Sequence, residues 1–93
     1  EITLDLSKPV ASQMNLPIAI ISYAERTKEL VLIQSDQERE RRYQQDAYLK
    51  HQQPQSILTL PIIHLNQLKY LLYFENKDVS HAFTPENINT LQL

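Results

Sequence analysis

The chain has 93 residues, of which 42% are hydrophobic and 22% are charged, and its formal net charge is −2. This length fits one domain or part of one, and the composition is typical of a soluble globular protein. The slight negative charge argues against a nucleic-acid partner, because phosphate binding needs a basic surface. No apolar run approaches the roughly 20 residues that span a bilayer, so we expect no membrane segment and a cytoplasmic location.

The absence of cysteine and of glycine excludes several kinds of site. Without cysteine the chain can form no disulfide, no thiolate metal site and no cysteine nucleophile. Without glycine it cannot contain a glycine-rich phosphate-binding loop. Backbone positions with positive φ must then fall to other residues, and Asn and Asp tolerate that geometry next best. We therefore predict positive φ at Asn66 and Asn76.

The first third of the chain contains signals for two strands and a helix. Residues 2–7 alternate apolar and polar side chains, which predicts a half-buried strand. Asn15-Leu16-Pro17 resembles a helix start, and the apolar spacing continues the helix to about residue 26. The isoleucine-rich residues 18–21 leave a strand open as the alternative. The β-branched run at residues 29–34 predicts a second strand.

A polar stretch follows at residues 37–53. Residues 38–42 mix acidic and basic side chains, which is typical of a solvated face with local ion pairs. We expect an irregular or partly helical connection there, with a short helix over residues 46–50. Pro54 then ends the connection.

The remaining residues predict a β-hairpin followed by a helix. Two strand-like runs, residues 56–63 and 68–76, flank a short polar connection with its turn at Asn66-Gln67. Thr84 and Pro85 are typical of the N-cap and the first position of a helix. The order of elements indicates an α+β fold, with an antiparallel sheet flanked by helices.

The sequence of this hairpin and of the helix start after it resembles the closing segment of a GAF domain. The matching residues, in order, are Leu72-Tyr73, Glu75-Asn76 and Phe83-Thr84-Pro85-Glu86. The resemblance extends upstream of the hairpin. There the chain is similar to GAF domains of large bacterial hybrid proteins, which combine a Ser/Thr kinase-like region, an ATPase and a histidine kinase. The resemblance rests there on Leu16-Pro17, Tyr23, Arg26-Thr27, Val31, Asp36, Arg42-Tyr43, Asp46 and Tyr48.

The resemblance implies that residues 1–93 form a single partial, truncated GAF-like domain that lacks its N-terminal helix and hairpin. Such a module would sense a small molecule or relay a signal to neighbouring kinase domains of a two-component system. The alternative is a ligand-free dimerisation or spacer module. Bulky Tyr70, where the family usually has a small residue, favours that alternative, and an uncovered sheet edge would favour self-association.

The family places its ligand between the sheet and the connecting helices. The resemblance therefore implies a binding site at Tyr43, Tyr48, Leu58 and Tyr73, with Arg42 beside it. Arg42 has two open roles, since it could pair with a nearby aspartate or offer a cation to an anionic ligand. The motif of cyclic-nucleotide-binding members is not recognisable here.

Catalytic chemistry finds little support in the sequence. The three histidines, His51, His64 and His81, are separated by 13 and 17 residues, which matches no ligand pair on one helix or strand. No serine or threonine stands in a pattern with a histidine and an acid. We expect no enzyme activity, no cofactor and no metal.

Overall fold

The computed structural model describes residues 2–5 and 16–91. Four strands and four helices follow one another along the chain, and the α+β class is confirmed. In chain order they are β1 (Ile2–Asp5), α1 (Ile18–Thr27), β2 (Val31–Ile33), α2 (Asp36–Tyr43), α3 (Ala47–Gln52), β3 (Ser56–His64), β4 (Gln67–Asn76) and α4 (Pro85–Leu91). The last two residues of the strand predicted at 2–7 lie outside the described residues.

The four strands form one sheet in the order β1-β4-β3-β2, and every neighbouring pair is antiparallel. The β3–β4 hairpin at its centre confirms the predicted pairing of the two apolar runs. Its register shifts once, between Ile62, which pairs with Tyr70, and Ile63, which pairs with Leu68. Lys69 is therefore the extra residue of a β-bulge. The short strands β1 and β2 form the two edges.

One face of the sheet carries the main core. Side chains alternate between the faces of a strand, so every second residue of β3 and β4 points to the same side. On this side the sheet packs against α1 and α3, and each fully buried aliphatic side chain contributes roughly 1.5–3 kcal/mol. The buried members of this cluster are Leu16, Ile20, Ile21, Ala24, Val31, Ile33, Leu49, Ile57, Leu71 and Tyr73.

The opposite face is apolar too, but its cover is incomplete. Leu58 and Leu60 are fully buried there. The segment after β4 packs against this face, where Phe83 meets Phe74 edge-on with ring centroids 6.2 Å apart. Tyr70, at the far end of the hairpin, is 50% exposed. The sheet is thus buried on both faces near β3 and open near the hairpin turn.

The helix predicted after Pro17 is confirmed over Ile18–Thr27, and the alternative strand is wrong. Pro17 accepts the first intrahelical bond, from the Ile21 N–H at 3.0 Å, but has no side-chain group that could cap the helix. Lys28 ends the helix with a φ of 58° and donates its N–H to the Ala24 carbonyl.

The polar connection is more helical than its sequence indicated. It contains α2 as well as α3, which begins within one residue of the predicted short helix. A variant of the capping box starts α2: Ser35 Oγ accepts from the Glu38 N–H at 3.2 Å, and Glu38 Oε1 accepts at 2.8 Å from the N–H of Gln34, the residue before the N-cap. This S-x-x-E spacing is visible in the sequence and is the signal that was missed.

The prediction of positive φ was correct for Asn66 and wrong for Asn76. Asn66 has a φ of 63°. Asn76 ends β4, and its side-chain Oδ1 instead accepts from the backbone N–H groups of Asp78 and Val79, both at 2.9 Å. The hairpin loop is Leu65-Asn66, one residue earlier than predicted, since Gln67 pairs with His64.

Leu65 provides a test of the turn. Its φ is 52° and its side chain is 82% exposed. A two-residue loop of this kind requires positive φ at both positions. For a residue with a Cβ atom, this backbone geometry is unfavourable by about 1–2 kcal/mol. We expect Leu65→Asn to raise the free energy of unfolding by about 1 kcal/mol in urea, because Asn tolerates this geometry. Leu65→Ala is the matched control, since it removes the same exposed side chain but keeps the strain. Equal stability of the two variants would contradict this explanation.

A candidate ligand cleft around Asp46

An open cleft of about 590 Å³ lies where three helix ends meet. The first turn of α1 forms one wall, and the end of α2 and the start of α3 form the other. The lining consists of residues 41–48 together with Leu16, Ile18 and Ala19. This volume lies within the usual range for small-molecule sites, roughly 300–1,000 Å³.

Asp46 lies at the bottom of this cleft and is only 8% exposed. Its Oδ1 accepts from the Leu49 N–H at 3.0 Å, which makes it the N-cap of α3. Its Oδ2 accepts from the Ala19 N–H at 2.9 Å, in the first turn of α1. Because Pro17 cannot cap α1, the Asp46 carboxylate serves the starts of both helices, where a negative charge is stabilising.

Arg42 and Tyr43 form one rim of the cleft. The guanidinium carbon of Arg42 lies 5.3 Å from the centroid of the Tyr43 ring, and Nη1 donates to the Leu32 carbonyl at 3.4 Å. Burial raises the pKa of the Tyr43 hydroxyl above its usual value, and the neighbouring Arg42 opposes part of that rise. Among the described residues, Arg42 contacts neither Asp36 nor Asp46, so the aspartate pairing considered from the sequence is not observed.

Tyr48 connects the cleft to the sheet. Its hydroxyl donates to Glu75 Oε1 at 2.7 Å, and the hydroxyl of buried Tyr73 donates to the same oxygen at 2.8 Å. The two rings meet edge-on, with centroids 6.5 Å apart. Burial, and then the Glu75 carboxylate, raise the pKa of both hydroxyls well above the usual value. Both phenols therefore stay neutral donors at ordinary pH.

The structure brings together most of the sequence-predicted site. Arg42, Tyr43 and Tyr48 line the cleft. Tyr73 lies beneath it in the core, in contact with Tyr48. Leu58 is buried on the other face of the sheet and takes no part in this cleft. Ligand binding by these residues stays a prediction.

Two important groups were not identified from the sequence. Asp46 was placed at the start of a short helix, but its bond to Ala19 spans 27 positions and has no local signal. Glu75 was named only as part of the resemblance, and its contact with Tyr48 also spans 27 positions. Within the part of the chain that the structure describes, no three His, Cys, Asp or Glu side chains are grouped as metal ligands. None of the described helices is long and apolar enough to cross a membrane.

The two raised tyrosine pKa values predict a loss of stability in alkali. An unfolded tyrosine loses its proton near pH 10, whereas folded Tyr48 and Tyr73 keep theirs to higher pH. Above pH 10 the unfolded chain therefore binds fewer protons than the folded chain, and the free energy of unfolding falls as pH rises. Urea unfolding at a series of pH values should show this fall, and it should be shallower in the Tyr48→Phe, Tyr73→Phe double variant. An unchanged slope in that variant would contradict the assignment.

Comparison with known proteins shows that the chain is similar in sequence to part of a signalling protein. It is 33% identical over 79 residues to the hybrid signal transduction histidine kinase G of Dictyostelium discoideum. The aligned part covers 85% of this chain and 2% of that protein, so the chain spans a very small fraction of the relative's length. No family model matches the chain, and no solved structure matches it significantly. The chain is thus similar to one short segment of a hybrid histidine kinase.

Proposed function

We propose that this chain is a sensory or regulatory GAF-like module of a signalling kinase, and that a small molecule binds in the cleft around Asp46. Three observations support the proposal. The chain resembles a segment of a hybrid histidine kinase over most of its length. Its fold is an antiparallel sheet with helices on the side of the candidate site. A cleft of about 590 Å³ is lined by three of the residues that the resemblance implies as ligand-binding, Arg42, Tyr43 and Tyr48, although it lies between the connecting helices and α1 rather than against the sheet.

The cleft itself is the observation that carries the proposal. Leu16, Ile18 and Ala47 give its lining apolar surface, and its rim carries the guanidinium of Arg42 and the phenol of Tyr43. A concave, largely apolar site with a few fixed polar groups is the usual form of a small-molecule site. The lining fits a ligand with an apolar or aromatic body and an anionic group.

A path from this cleft to the end of the described chain supports a regulatory role. Tyr48 lines the cleft and donates to Glu75 on β4. Asn76 follows directly and fixes the turn that leads to α4. A ligand that displaces Tyr48 would weaken its bond to Glu75 and so favour one packing of β4 and α4 over another. The change would then be read by a neighbouring kinase domain.

A second candidate function is a ligand-free dimerisation or spacer module. The half-exposed Tyr70 and the partly buried Leu72 favour it, since they leave the second face of the sheet incompletely covered near the hairpin turn. The edge strands β1 and β2 offer backbone groups for pairing with another chain. A sensor needs a cleft that a ligand can enter, whereas a spacer does not.

Blocking the cleft separates the two functions. Ala47 lines the cleft and is exposed, so Ala47→Trp should fill it without disturbing the core. We expect a metabolite set, screened by thermal shift, to contain a ligand that the native chain binds and this variant does not. Ser22→Trp adds the same side chain to an exposed position of α1 outside the cleft, and it should bind normally.

The screen has two outcomes that count against the sensor. A complete lack of response across the set favours the spacer. A ligand that binds both tryptophan variants equally would place its site outside this cleft. In either case the folded state of each variant is checked first by its unfolding midpoint in urea.

A further inference from the structure

A second cleft, of about 300 Å³, lies between α2 and α3 on the other side of Tyr43. Its lining is mostly polar and includes Arg39, Gln44, Lys50 and Gln53. Lys50 and Gln53 do not line the cleft around Asp46, so the two clefts can be changed independently. The unusual member is Arg39, because an arginine is rarely buried unless its charge is paired.

Arg39 is only 4% exposed, and its described contacts compensate little of its charge. Nη1 donates to the backbone carbonyl of Pro54. Nη2 lies 3.7 Å from Glu40 Oε1, a longer separation than the roughly 2.7–2.9 Å of a charge-assisted hydrogen bond. Glu40 is itself 70% exposed, so water screens this pair. A guanidinium has five N–H donors, and these contacts engage only part of them.

A purely structural role explains one part of this arrangement. Pro54 directly follows Gln53, the left-handed residue that ends α3, so the bond from Nη1 fixes the connection into β3. That bond uses a single donor and needs no second cation nearby. Lys50 lines the same cleft and adds another positive charge, while Glu40 is the one acid of the lining. The lining therefore carries one more positive charge than negative charge, which favours an anion in the cleft.

We propose that the cleft between α2 and α3 binds an oxyanion group, a phosphate or a carboxylate, of a small molecule. The planar fork of Arg39 matches either group in a bidentate geometry, and Lys50 supplies the second charge. The side-chain amides of Gln44 and Gln53 can donate to the remaining oxygens. This site is separate from the ligand cleft proposed above and does not depend on it.

The test titrates the full chain with inorganic phosphate and, separately, with acetate, each at constant ionic strength against chloride. Backbone amide and Arg39 Nε resonances are followed by NMR. We expect at least one of the two anions to give saturable shifts at residues 39, 50 and 53. Lys50→Gln should weaken that binding about fivefold, the effect of one unit charge near 4 Å at water-like screening. Lys69→Gln is the matched control, since it removes the same charge from exposed β4.

Three results would overturn the proposal. The first is non-saturable shifts with both anions. The second is the same weakening in Lys69→Gln as in Lys50→Gln, which would indicate general charge screening. The third concerns Arg39→Lys, which keeps the charge but loses the planar fork: normal binding by a folded Arg39→Lys variant would exclude the bidentate site. The Ala47→Trp variant should bind the anion normally, so this outcome is independent of the first cleft.

Discussion

A single carboxylate holds the candidate site together. Asp46 accepts a backbone N–H from the first turn of α3 and another from the first turn of α1, and it is almost fully buried while doing so. Helix starts leave backbone donors unsatisfied, and Pro17 offers α1 no side-chain acceptor. The two helices therefore meet at one charge, and the space between their first turns is the larger cleft. Its shape follows from this shared cap.

The sheet is tied to the same helices by a second polar contact. Tyr48 on α3 and buried Tyr73 on β4 donate to the same oxygen of Glu75, at the margin of the core where Tyr48 and Glu75 are partly buried. Buried polar groups are costly unless they are paired, so this arrangement favours one position of α3 over the sheet. The bonds of Asp46 and of Tyr48 fix α3 against α1 and the sheet. They explain how the polar connection at residues 37–53 forms a wall of the cleft in one defined position. They also connect the lining of the larger cleft to β4 through Tyr48 and Glu75.

The sequence predicted those features that have local signals. Thr84 and Pro85 mark the start of α4, with Thr84 Oγ1 accepting from the Asn87 N–H, and Asn66 takes the left-handed turn position. The resemblance grouped Leu58 with Tyr73, but the two side chains lie on opposite faces of the sheet. Residues 57–60 are buried on both faces of the sheet, so the strand has no apolar–polar alternation that could show which residue points where. Ala19, the second partner of Asp46, lies 27 positions away and leaves no pattern in the neighbours of Asp46.

The most direct test of the shared cap is amide hydrogen exchange in Asp46→Ala, with Ser35→Ala as the single-cap control. The account predicts that the Ala19 and Leu49 amides lose protection together. It also predicts a loss of about 2 kcal/mol in the free energy of unfolding, against about 1 kcal/mol for Ser35→Ala, since a cap contributes typically about 1 kcal/mol. Retained protection at Ala19, or equal losses in the two variants, would contradict it.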